Sequence, residues 1–454
     1  MPIHSKNPLN GKTLKTYDEH SDREVDEAID KAHATYITWK LTSFDERSRL
    51  MKAAAKEIRE NMGYYAGLMT AEMGKHRREA EAEMEKCATA CDYYAEKAPD
   101  FLADEKLPVE EGEAYIAYDP MGIVLAVMPW NFPYWQVIRF AAPALMAGNV
   151  GLLKHSSLVP QCARALEEIF RKAGFPEGCF TTLMISGKKV GRVLENPKVK
   201  AATLTGSEGA GSKVAEKAGE MLKKTVLELG GSDPFIVLDD ADVEEAAKVA
   251  VKARMQNCGQ SCIAAKRFFI HEKIYDQWLE IFRSGVEALK VGDPEDESSD
   301  YGPMASEDLA QELLEQVKKS VDKGAKILVG GDRPDRGGAF FNPTILTDVK
   351  PGMPAYDEEL FGPVAMVFKI KDEEEAVLIA NDCPYGLGGS VWTSDIKRGR
   401  ELVRKVESGA VYINKMMASA PEVPFGGIKK SGYGRELSHL GIREFVNQKT
   451  VWIN

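Results

Sequence analysis

The chain has 454 residues, of which 44% are hydrophobic and 28% charged, and its formal net charge is −11. This length predicts two or three globular domains, and the composition excludes intrinsic disorder. The acidic balance, with basic residues scattered along the chain, argues against nucleic-acid binding, and no apolar run is long enough to predict a membrane-spanning helix.

The first hundred residues have the periodicity of amphipathic helices, over REVDEAIDKAHATYITWK and the longer SFDERSRLMKAAAKEIRENMGYYAGLMTAEMG. Ser43 and Glu46 have the spacing of a capping box, which predicts that a helix begins there. From about residue 114 the stretch AYIAYDPMGIVLAVMPW is β-rich and is interrupted at Asp119-Pro120. This pattern predicts a hairpin that leads into a buried strand.

Strands and helices then alternate in two series, from VGLLKHS to GAGSKVAEKAGEML and from PFIVLDD to GAVYIN. Alternation with short links predicts parallel sheets covered by helices, and therefore two α/β domains. Because no Pro/Ser-rich linker separates the series, we expect a packed junction near LELGGSDPF.

The seven cysteines indicate reduced thiols rather than a disulfide framework, because their number is odd and the chain is long. Cys87 and Cys91 lie one helical turn apart and are predicted to be packed in a core; no metal site is expected. The opening residues MPIHSKNPLNGK show no export pattern, so we expect a cytoplasmic protein.

Small and polar residues follow the apolar runs, at the edge where parallel sheets bind ligands. Lys154 and His155 end one run, and Gly206 and Ser207 open a helix after another. This is a weak dinucleotide signal, since the full glycine fingerprint is missing. Glu228, between two leucines, is either paired structurally or held as a general base with a raised pKa.

Two cysteines lie four residues apart in MQNCGQSCIAAKR. A nucleophilic cysteine needs an accessible, electropositive setting, and the residues alone favour neither Cys258 nor Cys262 strongly. A lesser hypothesis is that the pair forms a reversible disulfide.

Six motifs occur in order: PWNFP at 129–133, LTGS at 204–207, LELGG at 227–231, GQSC at 259–262, EELFGPV at 358–364 and PFGGIKKSGYGRE at 424–436. Together they resemble the aldehyde dehydrogenase superfamily along almost the entire chain. NFPYWQVIRF and LKHSS are most similar to its short bacterial succinate-semialdehyde dehydrogenase type.

The resemblance implies an α/β fold with a Rossmann-type cofactor domain, a second α/β catalytic domain and a small β oligomerisation arm. The implied bounds are 1–101 and 121–230 for the cofactor domain, 231–430 for the catalytic domain, and 102–120 and 431–454 for the oligomerisation elements. A homodimer or homotetramer is expected.

The resemblance also implies a reaction. Cys262 of GQSC is the nucleophile, Glu228 of LELGG the general base and Asn131 of PWNFP the oxyanion donor. An aldehyde would then be oxidised through a cysteine thioester that water hydrolyses to a carboxylic acid, with no metal.

NADP is the expected cofactor, with NAD as the weaker alternative. Many relatives carry a glutamate where this chain has Ser157, and a serine removes the repulsion of a 2′-phosphate, while Lys154 adds a positive charge and His155 a further donor. The resemblance implies a cofactor site of Trp130, Asn131, Lys154, His155, Ser157, Gly206, Ser207, Leu229, Glu359 and Phe361.

The expected substrate is succinate semialdehyde. The resemblance implies that Arg139, eight residues after Asn131, lines the substrate tunnel, where its planar guanidinium would pair with a distal carboxylate. It also implies that Trp135 forms a wall of the tunnel and that Ser261 and Ser419 donate hydroxyls to the same carboxylate. The second arginine of longer eukaryotic relatives has no clear equivalent, since Lys266 and Arg267 resemble residues that begin a strand.

Several alternatives stay open. In one alternative, Arg139 is paired internally with an acidic neighbour on a helix and does not bind substrate. In another, the substrate is glutarate semialdehyde or a phosphate-bearing aldehyde. A hydrolase or acyltransferase, a coenzyme-A-acylating dehydrogenase and a non-enzymatic binding protein are the competing classes.

Overall fold

The structure is a computed structural model, and it describes residues 2–454. The α-helices of this part of the chain are α1 (Asp22–Trp39), α2 (Phe44–Glu60), α3 (Met62–Met73), α4 (Arg77–Phe101), α5 (Trp135–Met146), α6 (Pro160–Lys172), α7 (Val190–Glu195), α8 (Glu208–Glu220), α9 (Val243–Met255), α10 (Tyr275–Glu287), α11 (Glu307–Asp322), α12 (Pro354–Asp357), α13 (Glu373–Asn381), α14 (Ile396–Val403) and α15 (Ser438–Ile442).

The strands are β1 (Ile3–Lys6), β2 (Thr13–Tyr17), β3 (Glu105–Leu107), β4 (Glu113–Pro120), β5 (Ile123–Met128), β6 (Val150–His155), β7 (Phe180–Thr182), β8 (Val199–Thr205), β9 (Lys224–Glu228), β10 (Asp233–Val237), β11 (Ala265–His271), β12 (Lys326–Val329), β13 (Thr344–Thr347), β14 (Val364–Ile370), β15 (Tyr385–Gly386), β16 (Ser390–Trp392), β17 (Tyr412–Ile413), β18 (Ile428–Lys429), β19 (Gly432–Tyr433) and β20 (Val446–Ile453).

The N-terminal helices begin where their caps predict. Ser43 Oγ accepts a hydrogen bond from the backbone N–H of Glu46 at 3.2 Å, which confirms the predicted start of α2. The periodic stretch that follows is divided at Asn61 into α2 and α3, and α3 ends at Gly74, whose φ of 73° is left-handed.

Two large sheets form the framework, as the alternating pattern predicts. The first has the order β19-β9-β8-β5-β6-β7, and the pairs from β9 to β7 are parallel. The second has the order β12-β13-β14-β11-β10-β16-β17 and is parallel except for β12. Helices cover both sheets, and the α/β fold class is confirmed.

The β-rich stretch around residue 119 differs from its prediction. β4 and β5 do not form a hairpin with each other, because they belong to different sheets. β4 instead pairs with β3 and with the distant β20 in a three-stranded sheet. The chain changes sheets at Pro120, which has no N–H to donate, and at Gly122, whose φ is 132°.

The segment after residue 430 also divides differently from the expected 431–454 unit. β19 pairs antiparallel with β9 and completes the edge of the six-stranded sheet, whereas β20 joins β4. The sequence analysis missed β19 because a two-residue strand carries no periodicity.

The largest core lies between the helices α1–α6 and the six-stranded sheet. Cys87 and Cys91 are fully buried there as free thiols, as predicted. Among residues 2–454, no helix combines the length and the apolar character needed to cross a bilayer.

Candidate active site

The loop between α9 and β11 separates the two candidate cysteines. Asn257 and Cys258 have φ values of 56° and 54°, and this tight turn directs their side chains into the protein. Cys258 is 3% exposed and packs in a cluster with Tyr301 and Met304. Cys262 is half-buried, packs against a different cluster and lines a narrow cavity of about 90 Å³.

The two thiols also differ in their electrostatic surroundings. Burial raises the pKa of Cys258, and the nearby carboxylate of Glu79 raises it further. Burial raises the pKa of Cys262 to about 12, whereas the positive charges of Arg139 and Lys266 favour its thiolate. The arrangement therefore favours Cys262 as the nucleophile, and the separate packing of the two side chains disfavours a disulfide between them.

Lys266 fixes the backbone of the loop that contains Cys262. Its side chain is fully buried, and Nζ donates to the carbonyls of Ser261 and Cys262 at 2.9 and 3.0 Å. The same Nζ lies 3.2 Å from a carboxylate oxygen of Glu359. Lys266 and Arg267 do begin a strand, β11, as predicted, but Lys266 also joins the loop of Cys262 to the loop of Glu359.

Arg254 makes a second connection between these loops. Its buried guanidinium donates to the carbonyls of Val364, Leu360 and Gly362, and to that of Gly259 at 3.2 Å. Burial without a contacting carboxylate lowers the pKa of Arg254 to about 9. The guanidinium thereby holds residues 360–364 against the turn that precedes Cys262.

Asn131 faces the same loop. Its Nδ2 donates to the carbonyl of Gln260 at 3.0 Å, and its Oδ1 accepts from Gln136 Nε2 at 3.0 Å. These bonds fix the orientation of the amide and use one of its two N–H groups. Within residues 2–454, this is the one hydrogen bond that Nδ2 donates.

A buried ion pair supports the loop of Asn131. Lys75 Nζ donates to the Asn131 carbonyl at 2.9 Å and is paired closely with Glu83. Glu83 Oε1 in turn accepts from the backbone N–H groups of Tyr134 and Trp135, both at 2.9 Å, where α5 begins. The sequence analysis did not find this pair, since nothing in its local pattern distinguishes it from surface charges.

Glu228 ends β9 and is only 1% exposed. Neither carboxyl oxygen has a hydrogen-bond partner within residues 2–454. Burial, together with the nearby carboxylate of Glu436, raises the pKa of Glu228 well above its ordinary value, although Arg139 and Arg435 oppose the shift. A Cβ on Gly426 would lie 2.7 Å from Glu228 Oε1, so only glycine leaves room there.

Arg139 lines the cavity but has internal partners. Its Nε is paired closely with Glu436, its Nη2 donates to Thr205 Oγ1 at 3.1 Å, and its guanidinium lies 4.7 Å from the centre of the Phe425 ring. The internal pairing that the sequence analysis left open is therefore present, although Glu436 is distant in sequence and does not belong to the same helix. Arg139 is 2% exposed.

We expect the change Arg139→Ala to lower the free energy of unfolding by about 3–5 kcal/mol, because it leaves the buried carboxylate of Glu436 unpaired beside Glu228. Denaturant unfolding at neutral pH measures this loss. The double variant Arg139→Met/Glu436→Gln removes both charges and should recover most of the stability. A change below about 1 kcal/mol in the single variant would show that the pair is not coupled.

Lys154 and Ser157 lie at the carboxyl end of β6. Lys154 is 9% exposed, burial lowers its pKa, and its Nζ has no hydrogen-bond partner in the described part of the chain. Ser157 is exposed just beyond it. An ammonium without a carboxylate partner fits the ribose and phosphate of a nucleotide.

His155 was predicted to be a further donor to the phosphate, but its ring is engaged by the backbone instead. Its Nε2 lies 2.9 Å from the carbonyl of Pro133, and its Nδ1 accepts from the backbone N–H of Ser156 at 2.9 Å. Burial lowers the pKa of His155 to about 4, so the ring is neutral at physiological pH. With both nitrogens engaged by the backbone, His155 has no donor left for a phosphate.

The other predicted cofactor residues lie at the carboxyl ends of β5, β8 and β9 and on the 358–364 loop. Gly206 and Ser207 open α8, and Ser207 Oγ accepts from the backbone N–H of Ala210. Leu229 follows β9 and is buried. Trp130 and Phe361 pack edge to face with ring centres 5.8 Å apart, and Glu359 is half-buried beside Lys266.

The four predicted substrate residues all line the cavity of Cys262: Trp135, Arg139, Ser261 and Ser419. Ser419 Oγ accepts from Trp135 Nε1 at 3.0 Å and from Lys86 Nζ at 2.8 Å. Lys86, which the sequence analysis missed, comes from the middle of α4 and also lines the cavity. Its sequence context, next to buried Cys87, gives no signal of this position.

Comparisons with known proteins agree with this geometry. The model of the aldehyde dehydrogenase family matches residues 1–451. A probable NADP(+) succinate-semialdehyde dehydrogenase of Synechocystis sp. is 51% identical over 453 residues, and NADP(+) succinate-semialdehyde dehydrogenase 1 of Mycobacterium tuberculosis is 52% identical over 456 residues; each alignment covers 100% of both chains.

A solved structure agrees equally well. The succinic semialdehyde dehydrogenase from Streptococcus pyogenes, in complex with NADP+ as the cofactor, superposes with a TM-score of 0.98 at 40% identity over 99% of both chains. The motifs and the two sheets are thus accompanied by similarity over the full length. The chain belongs to the aldehyde dehydrogenase family.

Proposed function

We propose that the chain oxidises succinate semialdehyde to succinate with NADP as the preferred cofactor. The observation that carries the proposal is the cavity itself, in which the accessible thiol of Cys262 shares one space with two cationic side chains, Arg139 and Lys86. In a carboxylated aldehyde, the aldehyde group can react with the thiol while the carboxylate at the other end pairs with the cations. The names of the relatives from Synechocystis sp. and Mycobacterium tuberculosis support the same substrate.

The residues divide the chemistry as follows. The Cys262 thiolate attacks the aldehyde carbon, and the free N–H of the Asn131 amide, with a backbone N–H, stabilises the oxyanion that forms. The residues after β6 and β8 would hold NADP, which would supply the acceptor for the hydride that leaves the tetrahedral carbon. Glu228 then takes a proton from the water that attacks the Cys262 thioester, which releases the acid and restores the thiol.

The residues after β6 and β8 support binding of NADP. After β6, Lys154 supplies an ammonium with no carboxylate partner and Ser157 supplies an exposed hydroxyl. After β8, Gly206 and Ser207 form the start of α8, where the helix dipole favours a pyrophosphate. Glu359 has an oxygen to accept from the nicotinamide ribose. No glutamate is present at Ser157 to repel a 2′-phosphate.

We expect Ser157→Glu to reduce the ratio of kcat/KM for NADP over NAD by at least about tenfold, because a carboxylate at this position repels the 2′-phosphate and accepts from a 2′-hydroxyl. Ser157→Gln is the matched control of the same size without the charge, and it should change the ratio much less. Steady-state rates with both cofactors give the answer. A wild type that prefers NAD would refute the cofactor assignment.

A panel of aldehydes tests the substrate. Succinate semialdehyde, glutarate semialdehyde, a phosphate-bearing aldehyde and butanal are compared by the appearance of reduced cofactor, with and without coenzyme A. We expect the highest kcat/KM for succinate semialdehyde and no dependence on coenzyme A, because Glu228 favours water as the acyl acceptor. Formation of an acyl-coenzyme A, or no reduction of the cofactor with any aldehyde, would contradict the proposal.

A homo-oligomer in the cytoplasm completes the proposal. β20 lies at the edge of the three-stranded sheet, and its Trp452 and Ile453 are 60% and 49% exposed, which is unusual for large apolar side chains outside an interface. Size-exclusion chromatography with light scattering should give a dimer or tetramer.

The free thiols support a reducing compartment, which cell fractionation tests.

A further inference from the structure

One cation at the cavity has no carboxylate partner within residues 2–454. Lys86 Nζ lies 4.1 Å from the centre of the Trp135 ring and donates to Ser419 Oγ at 2.8 Å. Arg139, by contrast, is paired with Glu436, so that pair is formally neutral. Lys86 is therefore the uncompensated positive charge in the cavity of Cys262.

The surroundings of Lys86 favour an anionic ligand. Burial lowers the pKa of Lys86 to about 8, and the positive charge of Arg139 acts in the same direction. A carboxylate that reached Nζ would offset both effects, since an opposite charge stabilises the ammonium. The ammonium of Lys86 is already held over the Trp135 ring and at Ser419 Oγ, so little conformational freedom is lost when a ligand binds.

Ser419 provides a second donor at the same place. Its Oγ already accepts hydrogen bonds from Lys86 Nζ and Trp135 Nε1. A hydroxyl oxygen has two acceptor positions and one hydrogen, so the hydrogen of Ser419 remains free to donate. A carboxylate beside Lys86 and Ser419 would accept one hydrogen bond from an ammonium and one from a hydroxyl.

Lys86 also lines a second cavity, which has a volume of about 610 Å³. Four side chains line both cavities, Lys86, Phe132, Trp135 and Gln256, and Lys86 is the charged member of the four. The cation of Lys86 therefore borders the cavity of Cys262 and the larger cavity next to it.

We propose that Lys86 is the specificity-determining cation that binds the distal carboxylate of the substrate, with Ser419 as its hydroxyl partner. This inference rests on the proposed function, because it requires an aldehyde that carries a carboxylate. Arg139 also lines the cavity, but its charge is shared with Glu436.

The test compares Lys86→Met with Lys86→Arg on succinate semialdehyde and butanal. Methionine keeps an unbranched side chain of similar length and removes the charge. We expect its ratio of kcat/KM for succinate semialdehyde over butanal to fall at least about tenfold, chiefly through KM. Arginine keeps a cation and should recover most of the ratio. Lys97→Met, at the exposed end of the same helix, is the matched control and should behave as the wild type.

The possible outcomes separate this inference from the proposed function. A Lys86→Met ratio equal to that of the wild type, or one that Lys86→Arg fails to recover, overturns the assignment of Lys86 and leaves succinate semialdehyde as the substrate. A wild type that prefers butanal overturns both. Thermal unfolding verifies that each variant is folded, and Lys86→Gln, which retains a donor for Ser419, replaces Lys86→Met if that variant does not fold.

Discussion

Replacement of Cys262 by alanine is expected to reduce kcat for aldehyde oxidation at least about 10³-fold, because no other accessible side chain at the cavity forms a thioester. Cys258→Ala should retain most of the activity, since this thiol is 3% exposed and packs with Tyr301 and Met304, away from the cavity. The two variants remove the same atom from positions four residues apart. They are therefore controls for each other.

Steady-state reduction of NADP, together with mass spectrometry after iodoacetamide treatment, measures both effects. We expect the wild type and Cys258→Ala to be alkylated at Cys262, faster as the pH rises towards the raised pKa of about 12. Turnover by Cys262→Ala, or its loss in a folded Cys258→Ala, would reverse the assignment. Inactivation by peroxide that dithiothreitol reverses in the wild type but not in Cys258→Ala would instead support the disulfide that the packing disfavours.

The change Glu228→Gln is expected to lower kcat by about 10²–10⁴-fold, the range for loss of a general base, while an initial burst of reduced cofactor remains. The burst reports formation of the Cys262 thioester, and the slow phase reports its hydrolysis. Rapid mixing with succinate semialdehyde resolves the two. Disappearance of the burst together with the slow phase would give the carboxylate a role in acylation and contradict its assignment as the base for water.

The pH dependence of hydrolysis follows from the raised pKa of Glu228. Below this pKa the carboxyl is protonated and cannot take a proton from water, so the rate of the slow phase should increase with pH through this pKa. The sign for stability is opposite. A carboxyl whose pKa is raised on folding stabilises the fold while it is protonated, and this stability is lost as the pH rises. Glu228→Gln should therefore be at least as stable as the wild type at neutral pH.

The parts of the protein that the sequence predicted are those defined by local pattern. The helices of the first hundred residues and the alternating strands follow from periodicity and caps, because each element forms from neighbouring residues. Cys262, Glu228 and Asn131 lie in short contiguous motifs, so the resemblance to the family identified them without knowledge of the fold. Their roles remain predictions until the variants are measured.

The parts that it missed depend on contacts between distant residues. Lys86, Arg254 and Lys266 are charged side chains on a helix or a strand, and their burial is set by loops more than a hundred residues away or by the turn of the chain beside them. The pairing of β4 with β20 has the same origin, since no local pattern specifies a partner strand. The extra role assigned to His155 was wrong because the backbone that engages its ring could not be known from composition.

The short strand β19 has a consequence for the order of folding. β9, which carries Glu228, is paired on its outer side by Gly432 and Tyr433, roughly two hundred residues further along the chain. Contacts so distant in sequence have a large entropic cost of loop closure and form slowly. A nascent chain interrupted before residue 432 would therefore possess the complete Cys262 loop but an unpaired edge beside Glu228, open to strands of other molecules.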